Sequence, residues 1–208
     1  MTILLDSEPV APGLDEHATL ADALIWVQTR LATTGKVIVK VELDGTCLNG
    51  PALTESQSAP IAQRQVGIST ADQKELSRSM IGRLAALIEF IGPQHRQVAT
   101  LIEQNQTSKA LGQLGQVLSA WQQIQHSFAS LMTMLDLRVE DLQVGELPAK
   151  ELIADFSRQL GEMQTALQNK DMVLLTDILQ YEMDSAIANW TNLLALLLGI
   201  VDGVVPAP

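Results

Sequence analysis

The sequence predicts an α+β protein: a small β-rich unit over residues 1–70, then an antiparallel four-helix bundle of long amphipathic helices over residues 71–203. Three observations lead there. Residues 37–43 alternate in the two-residue period of a strand, with Val37, Val39, Val41 and Leu43 on one side. After Thr70 the apolar period changes to that of a helix and stays so almost to the end. Finally, 47% of residues are hydrophobic but only 3% are aromatic. A core of Leu, Ile, Val, Ala and Met suits helix packed on helix.

The N-terminal elements follow from local chemistry. Ile3-Leu4-Leu5, a turn through Asp6-Ser7-Glu8-Pro9, and Val10 read as two short paired strands. Thr19 caps a helix carrying Leu24, Ile25, Val27 and Leu31, which Gly35 ends. After the strong strand at 37–43, Asp44-Gly45 turns the chain into Thr46-Cys47-Leu48. Residues 49–60 read as a loop and residues 64–69 as the last strand. This order of strand, strand, helix, strand and late strand resembles the β-grasp fold of ubiquitin and small sulfur-carrier proteins. Carriers of that fold act through a Gly-Gly tail, which this unit lacks, so the resemblance implies a fold and no conjugation chemistry.

Four helices follow. Thr70 is the expected cap of the first, whose face holds Met80, Leu84, Leu87, Ile91, Val98 and Leu101; Gly92-Pro93 should kink or split it. The second carries Ala110, Leu114, Val117, Trp121, Ile124, Phe128, Leu131 and Leu135 at alternating steps of four and three. No formal charge lies between Lys109 and Asp136, which predicts a helix covered on several sides. Residues 137–147 form a connection, and Pro148 opens a third helix with Leu152, Phe156, Leu160, Met163 and Leu167. Asp171 caps the fourth, whose main row runs Met172, Leu175, Leu179, Met183, Ala186, Trp190, Leu193, Leu197 and Ile200. A second apolar row, Leu174, Ile178, Tyr181, Leu194 and Leu198, predicts contact with more than one neighbour. The last five residues read as a frayed tail.

Charge and cysteine use narrow the partners. A net charge of −11 repels phosphate backbones and acidic membrane surfaces, so nucleic acid is not an expected partner. The lone Cys47 makes no internal disulfide, and the first residues carry no basic segment before an apolar one, which together point to the cytoplasm. Residues 185–201 are apolar, but they are short for a membrane span, contain Asn189, Thr191 and Asn192, and are flanked by Asp184 and Asp202. They read as a bundle helix, not a membrane anchor.

A search for reactive groups yields little. Helical bundles hold metals through Glu-x-x-His, yet His95 and His126 are preceded at three residues by Gly92 and Gln123. Both read, with His17, as surface or partly buried groups, so no metal or cofactor is expected. Gly112-Gln113-Leu114-Gly115 lies within a helix and reads as small residues permitting close approach. The most unusual set is Asp177, Tyr181, Glu182, Asp184 and Trp190. Asp177, Tyr181 and Asp184 share one helical face, which suggests a recognition patch anchored by Tyr181 and Trp190. The alternative is a tyrosine hydroxyl tied to a carboxylate and a tryptophan filling a bundle layer.

This closing helix, with Asp177-Ile178-Leu179, Tyr181-Glu182 and Trp190 eight residues later, resembles that of a family of uncharacterised bacterial helical-bundle proteins. That resemblance implies no activity. In acidic, Gln- and Leu-rich composition the bundle also resembles bacterial export chaperones such as those of flagellin. Three functions stay open. The first is a non-catalytic adaptor or chaperone-like protein that docks another protein. The second is a homodimer or larger homo-oligomer joined through apolar helix faces. The third is a ligand- or metal-binding bundle enzyme using Glu89, Glu103, Asp177 or Glu182, ranked last.

Overall fold

The computed structural model describes residues 2–15 and 17–207. The chain divides into two compact units, Met1–Leu76 and Ser77–Pro208. It is α+β, mostly helical, with a small mixed sheet in the first unit.

In the first unit, β1 (Thr2–Leu5) and β2 (Glu8–Val10) pair antiparallel around Asp6 and Ser7, both at positive φ as a two-residue hairpin turn requires. Helix α1 (Leu20–Leu31) begins with Thr19 and Asp22 capping each other's backbone N–H. Strands β3 (Lys36–Leu43) and β4 (Thr46–Leu48) follow, then a short helix α2 (Pro51–Ser56) inside the expected loop, then β5 (Gln65–Asp72). The sheet order is β2-β1-β5-β3-β4, with β1 and β5 parallel and the other pairs antiparallel. Leu20, Ala23, Val27 and Leu31 of α1 pack with Ile3, Val41, Leu43, Val66 and Ile68.

Two expectations here need correction. Val39 does not share the buried face of Val41 and Leu43, because a bulge shifts the register between Ile38 and Lys40. Ile38 packs toward the core and Val39 is 46% exposed. Thr70 is not a helix cap. It lies in β5, where its N–H and hydroxyl both donate to the Asp6 carboxylate at 2.7 Å. Those bonds, with Lys36 nearby, hold the Asp6 carboxyl below its ordinary range. Asp72 caps instead, accepting from the Glu75 N–H at 2.9 Å.

The helical elements are α3 (Gln73–Glu103), α4 (Thr107–Met134), α5 (Ala149–Asn169), α6 (Met172–Asp177) and α7 (Met183–Asp202). Helix α3 is not split at Pro93, which sits within it on an exposed position, where water can satisfy the carbonyl that lacks a donor. Its buried row is Ile81, Leu84, Ile88, Ile91, His95, Val98 and Ile102; Met80, Leu87 and Leu101 lie beside that row. Helix α4 buries Ala110, Leu114, Val117, Trp121, Ile124, Phe128 and Leu131 as expected. Its Gln and Ser positions largely face solvent, however, because uncharged amides and hydroxyls need water no less than charges do. The connection after α4 contains a 3₁₀ turn (Val139–Asp141) and a small hairpin of β6 (Gln143–Val144) and β7 (Leu147–Pro148), with Gly145 at positive φ.

Asp171 caps α6, accepting from the Leu174 N–H at 3.0 Å. Between α6 and α7, where an unbroken α-helix is expected, residues Ile178–Glu182 form a π turn. Leu175, Leu179, Met183, Ala186, Trp190, Leu193 and Leu197 are buried through it. The stretch Met172–Asp202 is long and apolar enough to cross a membrane by length and composition, with this row set in a core shared with α3, α4 and α5. Its end is not frayed at Val204: Gly203 adopts φ 75°, and the Val204 and Val205 N–H groups donate back to the Gly199 carbonyl. A side chain at Gly199 would collide with Val205, whose side chain lies 2.9 Å from the ideal Cβ.

Candidate interaction groove

The five residues singled out on the closing helix do not form one patch. Trp190 is 3% exposed and fills the helical core, its ring centroid 5.2 Å from that of Phe128, 5.7 Å from Phe156 and 6.1 Å from Trp121. It is not a surface anchor. Tyr181 is 73% exposed, and among the described residues no carboxylate meets its hydroxyl. Asp177 is exposed and Glu182 half-buried. Asp184 faces α3, where both its oxygens accept from Arg96 Nη2 at 2.9 and 3.0 Å. The π turn explains this separation. Its wider turn closes a bond from the Met183 N–H to the Ile178 carbonyl, so residues counted at α-helical spacing across it no longer line up. Gln180, inside the turn, donates to Glu103 at 2.7 Å and ties the distorted segment to the end of α3.

His95 is the polar group that spacing alone could have located. It is fully buried, not a surface group, and follows Ile81 and Ile88 at seven-residue steps in the α3 core row. The Trp121 indole N–H donates to its Nε2 at 3.1 Å, and the rings lie nearly parallel. An accepting Nε2 places the proton on Nδ1, which finds no partner among the described residues. Burial pushes the imidazole pKa down to about 4 against the opposing pull of Asp184. This is a neutral, tautomer-fixed histidine, unlike an acid–base group poised near pH 7. Among the described residues, no group of three His, Cys, Asp or Glu side chains is gathered closely enough to hold a metal ion.

An apolar cleft lies between α3 and α7. It measures about 580 Å³; Ile81, Ile88 and Leu194 form its floor, and Ala85, Gly92, Thr191, Ala195 and Leu198 stand along its walls. Two residues of the second apolar row lie here, Leu194 buried and Leu198 38% exposed, whereas Ile178 is buried and Leu174 and Tyr181 are exposed away from the cleft. An ion pair stands beyond each end. Arg78 Nε donates to Asp202 at 2.6 Å, and Arg96 to Asp184, so the two helices run antiparallel. Both brackets span the same number of residues on α3 and α7, five α-helical turns, which returns the chain to the same face. Between them α7 carries no formal charge, and among the described residues Glu89 is the one charged residue lining the cleft.

A second cleft lies on α1 of the N-terminal unit, where Leu14, Ile25 and Trp26 sit beside Asp22, Thr29 and Arg30, with the Arg30 guanidinium 5.6 Å from the Trp26 ring centre. It is the more polar of the two.

A family model for a domain of unknown function, DUF8042, matches residues 79–193, more than half of the 208-residue chain. The chain belongs to the DUF8042 family. The DUF8042 segment lies wholly within the helical unit, from α3 into α7. It contains His95, Trp121, the π turn and Trp190, the α3 wall of the cleft, and the α7 wall as far as Leu193. Neither a curated protein nor a solved structure shows significant similarity to the chain.

Proposed function

We propose that this DUF8042 protein is a non-catalytic interaction protein, adaptor- or chaperone-like, that binds another protein through the α3/α7 cleft of its helical unit. The observation that carries the reading is the half-covered second row of the closing helix. A monomer leaves Leu198, Ala195 and Thr191 around an apolar trough whose floor is core, and such concave apolar surfaces favour occupation by an apolar partner. We read the helical unit as an antiparallel four-helix bundle, supported by its four long helical stretches and short joints. The N-terminal unit we read as β-grasp-like, supported by the strand order and the parallel β1–β5 pair. The net charge of −11 favours a protein partner over nucleic acid or an acidic membrane, and a lone cysteine suits a cytoplasmic setting.

Substituting Ala195, which is exposed, with Glu places a charge in the trough without touching the core. Affinity capture from source cells should recover a stoichiometric partner with the native chain and lose it with Ala195→Glu. Equal capture by both would exclude this cleft. A second reading, a homodimer through the same trough, is favoured by the apolar, uncharged length of α7. Light scattering over a dilution series separates the two, since a self-association site dissociates on dilution.

A further inference from the structure

We propose that the occupant of the α3/α7 cleft is a cationic amphipathic helix of four to five turns; this rests on the cleft being a docking site, as argued above. Three features of the cleft select that occupant. The first is length and shape. The two Arg–Asp brackets stand about 27 Å apart along either wall at 1.5 Å per residue, the length of an eighteen-residue helix. Small residues, Ala85 and Gly92 on one wall and Ala195 on the other, let a third helix approach closely.

The second is backbone chemistry. Both walls are helices, whose amides are committed to their own carbonyls. An extended peptide laid between them would bury N–H and C=O groups with nothing to pair with, at a cost of one unmade hydrogen bond after another. A helix brings its backbone bonds already made. The third is charge. Both brackets are internally neutral, so among the described residues Glu89 is the charge that lines the trough, on a chain of net charge −11. A carboxylate in a negative field calls for Lys or Arg on the flank of the incoming helix. A second copy of this chain fits less well, since it would bring another −11 and set Glu89 near its own twin.

The test uses the full chain and two eighteen-residue peptides with the same leucine stripe at three- and four-residue spacing, one flanked by Lys and the other by Glu. Fluorescence anisotropy should show the Lys peptide binding at least about tenfold more tightly at low salt, with the advantage shrinking as salt rises. Ala195→Trp, which fills the trough, should abolish binding, and Glu89→Lys should cut the preference several-fold. Ala85→Trp serves in place of Ala195→Trp if circular dichroism shows that variant misfolded. Lys-peptide binding that survives the filled trough would overturn the proposal. Equal binding of both peptides, lost on filling, would overturn the charge selection and leave the docking site standing. If neither peptide binds and filling converts a dimer to a monomer, the occupant is a second copy. If neither binds and the chain is monomeric throughout, both readings fall.

Discussion

The buried row of the closing helix and the strip beside its C-terminal half meet different fates. Leu175, Leu179, Met183, Ala186, Trp190, Leu193 and Leu197 vanish into a core built with α3, α4 and α5, whereas Thr191, Ala195 and Leu198, interleaved among the last of them, border an open trough. Side-chain chemistry does not separate Leu197 from Leu198. What separates them is their neighbours: α3, α4 and α5 build the core around Leu197, whereas α3 borders the cleft beside Leu198. A helix that is apolar over more of its circumference than its own chain can cover has a vacancy for a further element.

The largest test of that contrast is Trp190 against its neighbour Thr191. Trp190→Ala removes a ring held edge-on between Phe128 and Phe156, and should cost about 3 to 5 kcal/mol, read as a lowered urea midpoint. Thr191→Ala, one residue on, should change stability by less than about 0.5 kcal/mol. Comparable losses at both would mean the trough is as filled as the core.

The leucine pair sharpens the same comparison with chemistry held constant. Leu197 is fully buried and Leu198 is 38% exposed. Leu197→Ala should destabilise by about 2 to 5 kcal/mol, and Leu198→Ala by under about 1 kcal/mol. In the presence of the Lys-flanked peptide the order should change: Leu198→Ala, harmless to folding, should weaken binding.

How much of this was legible follows the same line. Core rows were readable wherever an apolar residue stood at every three- or four-residue step, as from Ala110 to Leu131, because burial of a regular helix depends only on angle. Reading failed where the backbone departs from that angle. At Val39 a bulge turns the alternation over. At Ile178–Glu182 a π turn does the same to a helix, and its trace is visible in hindsight: Leu175, Leu179 and Met183 follow at two successive steps of four, which an α-helix would carry off its own face. The expected patch of Asp177, Tyr181, Glu182, Asp184 and Trp190 was drawn across that irregularity, so its members diverge. The trough was half legible. The surplus row could be counted, but which helix would cover it is a tertiary fact. The position of His95 was legible from its seven-residue step beyond Ile88, but its role was not, since the donor that meets it, Trp121, lies on a different helix.

That histidine links the core to pH. Its folded pKa of about 4 lies below the roughly 6.5 of an exposed imidazole, so between those values the unfolded chain binds the extra proton. Stability supplied by neutral His95 is therefore complete above about pH 6.5, shrinks as pH falls, and is gone below about 4. The total is on the order of 3 kcal/mol. Protonation would also turn Nε2 into a donor facing the Trp121 N–H. His95→Gln, which can accept from Trp121 without titrating, should flatten the stability profile between pH 6.5 and 4 relative to the native chain. Parallel profiles for the two would show that His95 is not the group responsible.

The smallest expected effect lies at Tyr181, and it is informative because the residue is large. A tyrosine normally contributes to stability by burying its ring and satisfying its hydroxyl, and this one does neither. Tyr181→Ala should thus shift the unfolding midpoint by no more than about 0.5 kcal/mol equivalent. A loss above about 1 kcal/mol would mean that the π turn depends on the ring for its shape, since the exposed face offers no other source of so large an effect. Because the turn throws Tyr181 outward while carrying Leu179 and Met183 inward, a null result in stability would assign the turn's cost to keeping the core row in phase, with the exposed ring as its by-product.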